Sequence, residues 1–168
     1  MEMWQWSHRA DPIARQLADR HYNRQKVGTP QFVPPGRCMV LRAETATGQA
    51  FWVTSWPFAE YVKHAWAGSW VCSAFRNEGA EQASELIRQA LACTRDAYGD
   101  GAPGMVTFVD RQKVRPTIVR GQPVWGWTYR KAGFREAGET KGGLLALYMD
   151  TADMPPPCRP LFPLEAAA

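Results

Sequence analysis

The chain lacks an apolar run long enough to cross a bilayer. Its longest, residues 143–149, is far short of the roughly 20 residues a membrane-spanning helix needs. The first ten residues carry Trp4 and Trp6 among polar neighbours, where a secretion signal would need an apolar core. The expected setting is therefore the cytoplasm, with no membrane partner. Cysteine is sparse: Cys38, Cys72, Cys93 and Cys158 form no CxxC pair and no Cys/His cluster, and a chain of 168 residues does not need disulfides to be stable. They read as reduced thiols. There is no internal repeat and no long run of one charge, so one domain is the simplest account, over residues 1–154, with a proline-rich irregular tail at 155–168.

What is present is a globular balance, 45% hydrophobic and 21% charged residues, with net charge +4 and a pI near 9.0. That basicity permits a polyanionic partner without demanding one. Eight tryptophans are many for this length, and Trp52, Trp56, Trp66, Trp70 and Trp125 sit near the ends of strand-like segments. They either pack in the core or stack on nucleobases.

Along the chain, residues 12–22 form a helix capped by Asp11 and opened by Pro12, with Ile13 and Leu17 starting an apolar stripe and His21 near the same face. Residues 23–37 form a long loop rich in turn formers, a length that tends to carry function. Strands at 38–43 and 50–55 make a hairpin around a turn at 45–49. Residues 61–67 are ambiguous, and 69–75 is a further strand. A helix over 80–98 shows the strongest periodicity, from Ala83, Leu86 and Ile87 to Tyr98, closed by Gly99. A buried strand at 105–109 leads to Asp110, an irregular basic stretch fills 111–124, and a short helix or turn at 129–133 precedes strands at 134–139 and 144–150.

This order, with Tyr129-Arg130-Lys131-Ala132-Gly133-Phe134 before the last strand pair, resembles the GNAT acyltransferase superfamily over about residues 11–150. The resemblance implies an α/β (α+β) twisted mixed sheet flanked by helices. It also implies an acyl-CoA pyrophosphate loop at Arg76-Asn77-Glu78-Gly79-Ala80-Glu81, where Arg76 and Gly79 fit and Glu81 replaces a small residue. Glu78 and Glu81 put carboxylates where a diphosphate would lie, which disfavours conventional acetyl-CoA and leaves the acyl-type donor unidentified. The segments 21–28, 34–38, 108–110 and 129–134 look more specifically like the phage Mom-like DNA modification branch, whose type member alters the exocyclic amine of adenine. That implies a transferase acting on double-stranded DNA, with iron as a cofactor linked to the branch and His21 and Asp110 as the possible metal ligands.

Among candidate catalytic residues, His21 suits a general base near neutral pH and Tyr22 an orienting hydroxyl. Asp110, at a strand end, either orients His21 or caps the following turn. Ser73 either faces the site or packs in its strand. Tyr129 falls where many GNAT enzymes place a general acid, and packing under the last hairpin is the alternative. Arg24, Lys26 and Arg37 in the first loop, with Lys113, Arg115 and Arg120 in the later one, would form a phosphate-binding rim if the loops meet. Phe32, Trp56 or Trp125 would sandwich an extruded base. Two further readings stand beside this one: an acyl-CoA-dependent N-acetyltransferase acting on an amine or protein, and a non-enzymatic DNA-binding or inhibitory protein.

Overall fold

The computed structural model describes residues 3–24 and 26–161. In chain order its elements are β1 (Gln5–Trp6), α1 (Pro12–Asp19), β2 (Cys38–Thr45), β3 (Gly48–Ser55), β4 (Trp70–Glu78), α2 (Ala83–Tyr98), β5 (Gly104–Val109), β6 (Thr117–Val119), β7 (Gln122–Val124), α3 (Trp127–Ala132), β8 (Arg135–Glu139) and β9 (Leu145–Asp150). Single 3-10 turns occur at Ala59–Tyr61 and Thr151–Asp153. The architecture is mixed α/β. Seven strands form one sheet in the order β1-β2-β3-β4-β5-β9-β8, and β6-β7 is a separate two-stranded ribbon. Within the large sheet only β4 and β5 are parallel neighbours. No helix among the described residues is long and apolar enough to cross a membrane.

Strand alternation sends successive side chains to opposite faces, and each face carries its own core. Leu41, Trp52, Trp70, Met105, Leu147 and Met149 are buried with Leu86, Ile87 and Leu91 of α2. Val40, Phe51 and Val53 are buried on the other face with Ala14, Leu17 and Ala18 of α1. The Asp11 carboxylate caps α1 by accepting from the N–H groups of Ile13 and Ala14, at 2.9 and 3.3 Å.

The feature that positions the site is a parting of strands. β4 and β5 pair only at Trp70↔Met105, Val71↔Val106 and Cys72↔Thr107. Beyond that point β4 follows β3 as far as Asn77, and β5 follows β9 as far as Val109. The register with β3 slips at Val53/Thr54, so Ser73 is the extra residue of a bulge. A bulge bends its strand and sharpens the local twist, and this one sits where the two strands separate.

Several sequence expectations need correction. α1 ends at Asp19, so His21 lies in the turn beyond it. β4 runs past residue 75 to Glu78, because Gly48 brings the β2–β3 turn so close that an added Cβ would lie 2.0 Å from Glu78 O. That same turn is tighter than residues 45–49, since the strands pair up to Thr45↔Gly48. α2 begins at Ala83, not at residue 80. The stretch 111–124 contains the β6–β7 hairpin. The strand β1, with only two residues, gave no periodicity to read. The tail is hydrogen-bonded as far as Leu161, which donates to Trp4 O and accepts from Trp6 N–H; residues 162–168 of the expected tail lie outside the described residues, as does Gln25 of the long loop.

Candidate functional site

The parting of β4 and β5 opens a cleft of about 470 Å³ at the carboxyl ends of two parallel strands, the place where open α/β sheets collect ligands. Two cavities of about 360 and 420 Å³ adjoin it, and all three meet at Asn23 and Ser73. The segment after α1 spans the gap. Asn23 Nδ2 donates to Ser73 O on β4 at 2.9 Å, and the Tyr22 hydroxyl donates to Phe108 O on β5 at 3.3 Å. Its loop conformation frees these side chains to reach both strands, which a continued helix would not.

His21 stacks on Tyr22 with ring centroids 4.7 Å apart. Its Nδ1 accepts from the Asn23 N–H at 3.2 Å, which puts the proton of the neutral ring on Nε2. Burial, together with the Arg76 guanidinium, holds its pKa below the ordinary histidine value, against the opposing pull of Asn23 and the Phe75 backbone. The ring is therefore uncharged at neutral pH. Burial raises the Tyr22 pKa, against the opposing pull of a hydrogen bond with the Asp110 backbone.

The cleft floor is a polar trio that sequence reasoning only partly found. The Tyr129 hydroxyl lies 3.6 Å from Cys72 Sγ, and Thr107 Oγ1 donates to Cys72 O at 3.5 Å. Burial pushes the Cys72 thiol up to about 12 and the Tyr129 phenol well above its ordinary value, so both stay protonated. Tyr129 is held edge-on by Phe75 and Phe134. Cys72 was missed because a lone cysteine in a strand carries no pattern. Thr107 had a signal, as the one hydroxyl in the apolar run 105–109.

Ser73 borders all three cavities, but its hydroxyl is hydrogen-bonded to that of Ser55 on β3. Asp110 caps the turn after β5, its Oδ1 accepting from Gln112 N–H at 3.0 Å, and it also lines the smaller cavity with Tyr22 and Lys113. The structure thus supports the turn-capping role without removing Asp110 from the groove.

The cofactor-like loop is filled by its own side chains. Glu78 is paired to Arg20 at 2.8 Å and to Arg76, and these bonds, Arg20's first, hold its carboxyl at about 2. Asn77 Oδ1 accepts from Ala80 N–H, and Glu81 Oε1 accepts from Gln82 N–H, both at 3.0 Å. Two donors that an anion would need are already occupied. Arg76 lines the cleft and also donates to Arg20 O. Gly79 is spent on the β2–β3 turn, its carbonyl accepting from Thr47 Oγ1 at 2.7 Å.

The basic residues separate. Arg24 is engaged within its own loop: its guanidinium pairs with Asp19 at 2.8 Å and donates to the carbonyls of Thr29 and Gln31. Lys26 lines the third cavity, Lys113 the second and Arg115 the main cleft. Arg37 borders none of the three and lies over the rings of Trp56 and Phe58, at 4.4 and 4.9 Å. Trp56 thus carries the Arg37 guanidinium over its ring and meets Trp70 and Tyr98 in edge-type contacts, the packing alternative for this side chain. Trp125 donates to Val114 O, and Phe32 packs edge-on against Phe51.

Among the described residues no three His, Cys, Asp or Glu side chains gather into a set that could hold a metal ion. His21 and Asp110 belong to no such set. Comparison of the chain with protein-family models, curated proteins and solved structures finds no match.

Proposed function

We propose that the chain is a GNAT-type transferase of the Mom-like kind, attaching a small acyl-derived group to the exocyclic amine of adenine in double-stranded DNA. The observation that carries this reading is the cleft between β4 and β5, floored by a protonated Tyr129 and roofed by the His21–Tyr22 stack, with Arg115 and Lys113 at its borders. A groove with polar groups at its centre and cations at its edge suits a base inside and phosphate outside.

An exocyclic amine is a weak nucleophile because its lone pair is delocalised into the ring, so proton removal assists its attack. The uncharged His21 ring is in the state a general base needs, and its accepting Nδ1 is the nitrogen an incoming amine would reach by displacing the Asn23 N–H. As the new N–C bond forms and the donor's bond to its leaving atom breaks, the Tyr129 hydroxyl stands ready to donate to that atom. The self-filled loop around Glu78 and Glu81 counts against a diphosphate-bearing donor and thus against the second reading, a conventional acetyl-CoA-dependent N-acetyltransferase. The test is a nucleoside mass profile of DNA from cells expressing the chain: a new deoxyadenosine derivative is expected, and an unaltered profile overturns the proposal.

A further inference from the structure

The hairpin β6–β7 stands apart from the main sheet and adjoins the cleft at its base, where Arg115 and Thr117 form part of the wall. Its register is Thr117↔Val124, Ile118↔Pro123 and Val119↔Gln122, leaving Arg120 and Gly121 as the two-residue tip. Both tip residues have positive φ, 51° and 79°, as a tight primed turn matching the twist of a hairpin requires. Arg120 is the sole described residue other than glycine with this backbone.

The ribbon's composition is unusual for an exposed element. Ile118 is 65% exposed and lies across from an exposed Pro123, so an apolar pair projects from the ribbon with nothing covering it. Around it the charge has one sign. Between Asp110 and Glu136 there is no acidic residue, and Lys113, Arg115 and Arg120 form no ion pair among the described residues. A bare isoleucine on a hairpin whose tip and base carry the unpaired cations Arg120 and Arg115 is a poor match for a protein partner or an apolar ligand, and a good match for a polyanion whose interior is apolar, the stacked duplex.

We infer that the β6–β7 hairpin is a duplex-DNA wedge: Ile118 enters the base stack and holds open the space left by an extruded nucleotide, while Arg120 and Arg115 hold the flanking phosphates. This rests on the proposed function and adds how a base leaves the helix to reach the cleft beside the hairpin. Extrusion costs a few kcal/mol of stacking and pairing, and an apolar side chain filling the vacated gap offsets part of it. A two-stranded ribbon is also narrow enough to enter a groove of B-DNA.

The test measures binding by fluorescence anisotropy, using a labelled 25-base-pair duplex that is fully matched and the same duplex with one internal abasic site. In the abasic duplex the gap is ready-made, so the wild-type chain should bind it about tenfold or more tightly than the matched one. Ile118→Ser should erase that preference and leave the unfolding midpoint in urea unchanged, because the side chain is exposed and its loss does not disturb the core. Arg120→Gln should weaken both duplexes alike and flatten the salt dependence. A wild type that binds both duplexes equally, or an I118S variant that keeps the preference, overturns the wedge and leaves the proposed function standing. Absence of binding to either duplex overturns both.

Discussion

His21 and Glu78 titrate in ways that can be measured. Burial, with Arg76 nearby, lowers the His21 pKa, so below about pH 6.5 the unfolded chain binds a proton that the folded chain resists. Stability from this group is present above the unfolded pKa and lost as the pH falls through and below it. His64, lowered by burial, acts in the same direction. Urea unfolding should therefore show lower stability at pH 5 than at pH 7, with a shallower difference in His21→Gln; parallel behaviour of the two proteins would refute the assigned environment. Glu78, held at about 2 by Arg20 and Arg76, contributes stability that is present above its ordinary value of 4.5 and drains away as the pH falls toward 2. Glu78→Gln should lose that acid-range dependence.

At the scale of elements, what the sequence disclosed depended on periodicity. α2 and β5 were readable because a full apolar stripe and an apolar run leave long patterns. β1 was not, although it starts beside one of the most buried side chains: Trp4 is 1% exposed and donates to Leu86 O at 2.8 Å. Trp4→Ala should cost about 3–5 kcal/mol in denaturant unfolding, the usual range for emptying such a site; a loss under about 1 kcal/mol would show that this end of the chain is not part of the core. The loop after β4 was legible in composition but not in wiring. Its acidic residues were visible, whereas only the fold shows Glu81 and Asn77 occupying backbone donors. Calorimetric titration with acetyl-CoA should accordingly give no saturable binding at micromolar concentrations, and a clear isotherm there would restore the N-acetyltransferase reading.

At the scale of the whole molecule, the cleft exists because the pairing of β4 with β5 stops after Cys72 and Thr107 while each strand keeps its outer neighbour, which no local pattern encodes. His21, Tyr22 and Tyr129 could be chosen in advance because their residue types carry chemistry. Their meeting with Cys72 and Thr107 could not, since these residues come together from four distant segments. The partners of Arg24 and Trp56 were hidden for the same reason: a cation or an aromatic ring looks available until its neighbours in space are known. The central claim is that this cleft transfers a group to a base in DNA, and the most direct measurement is the modified fraction of deoxyadenosine, by mass spectrometry, in plasmid DNA from cells making the wild type or Tyr129→Phe. The substitution removes one hydroxyl and keeps the ring that packs on Phe75 and Phe134. The account predicts a new nucleoside with the wild type and a fall of roughly a hundredfold with Tyr129→Phe at equal expression, the scale of losing a proton donor; equal amounts from the two proteins, or unmodified DNA from both, would contradict it.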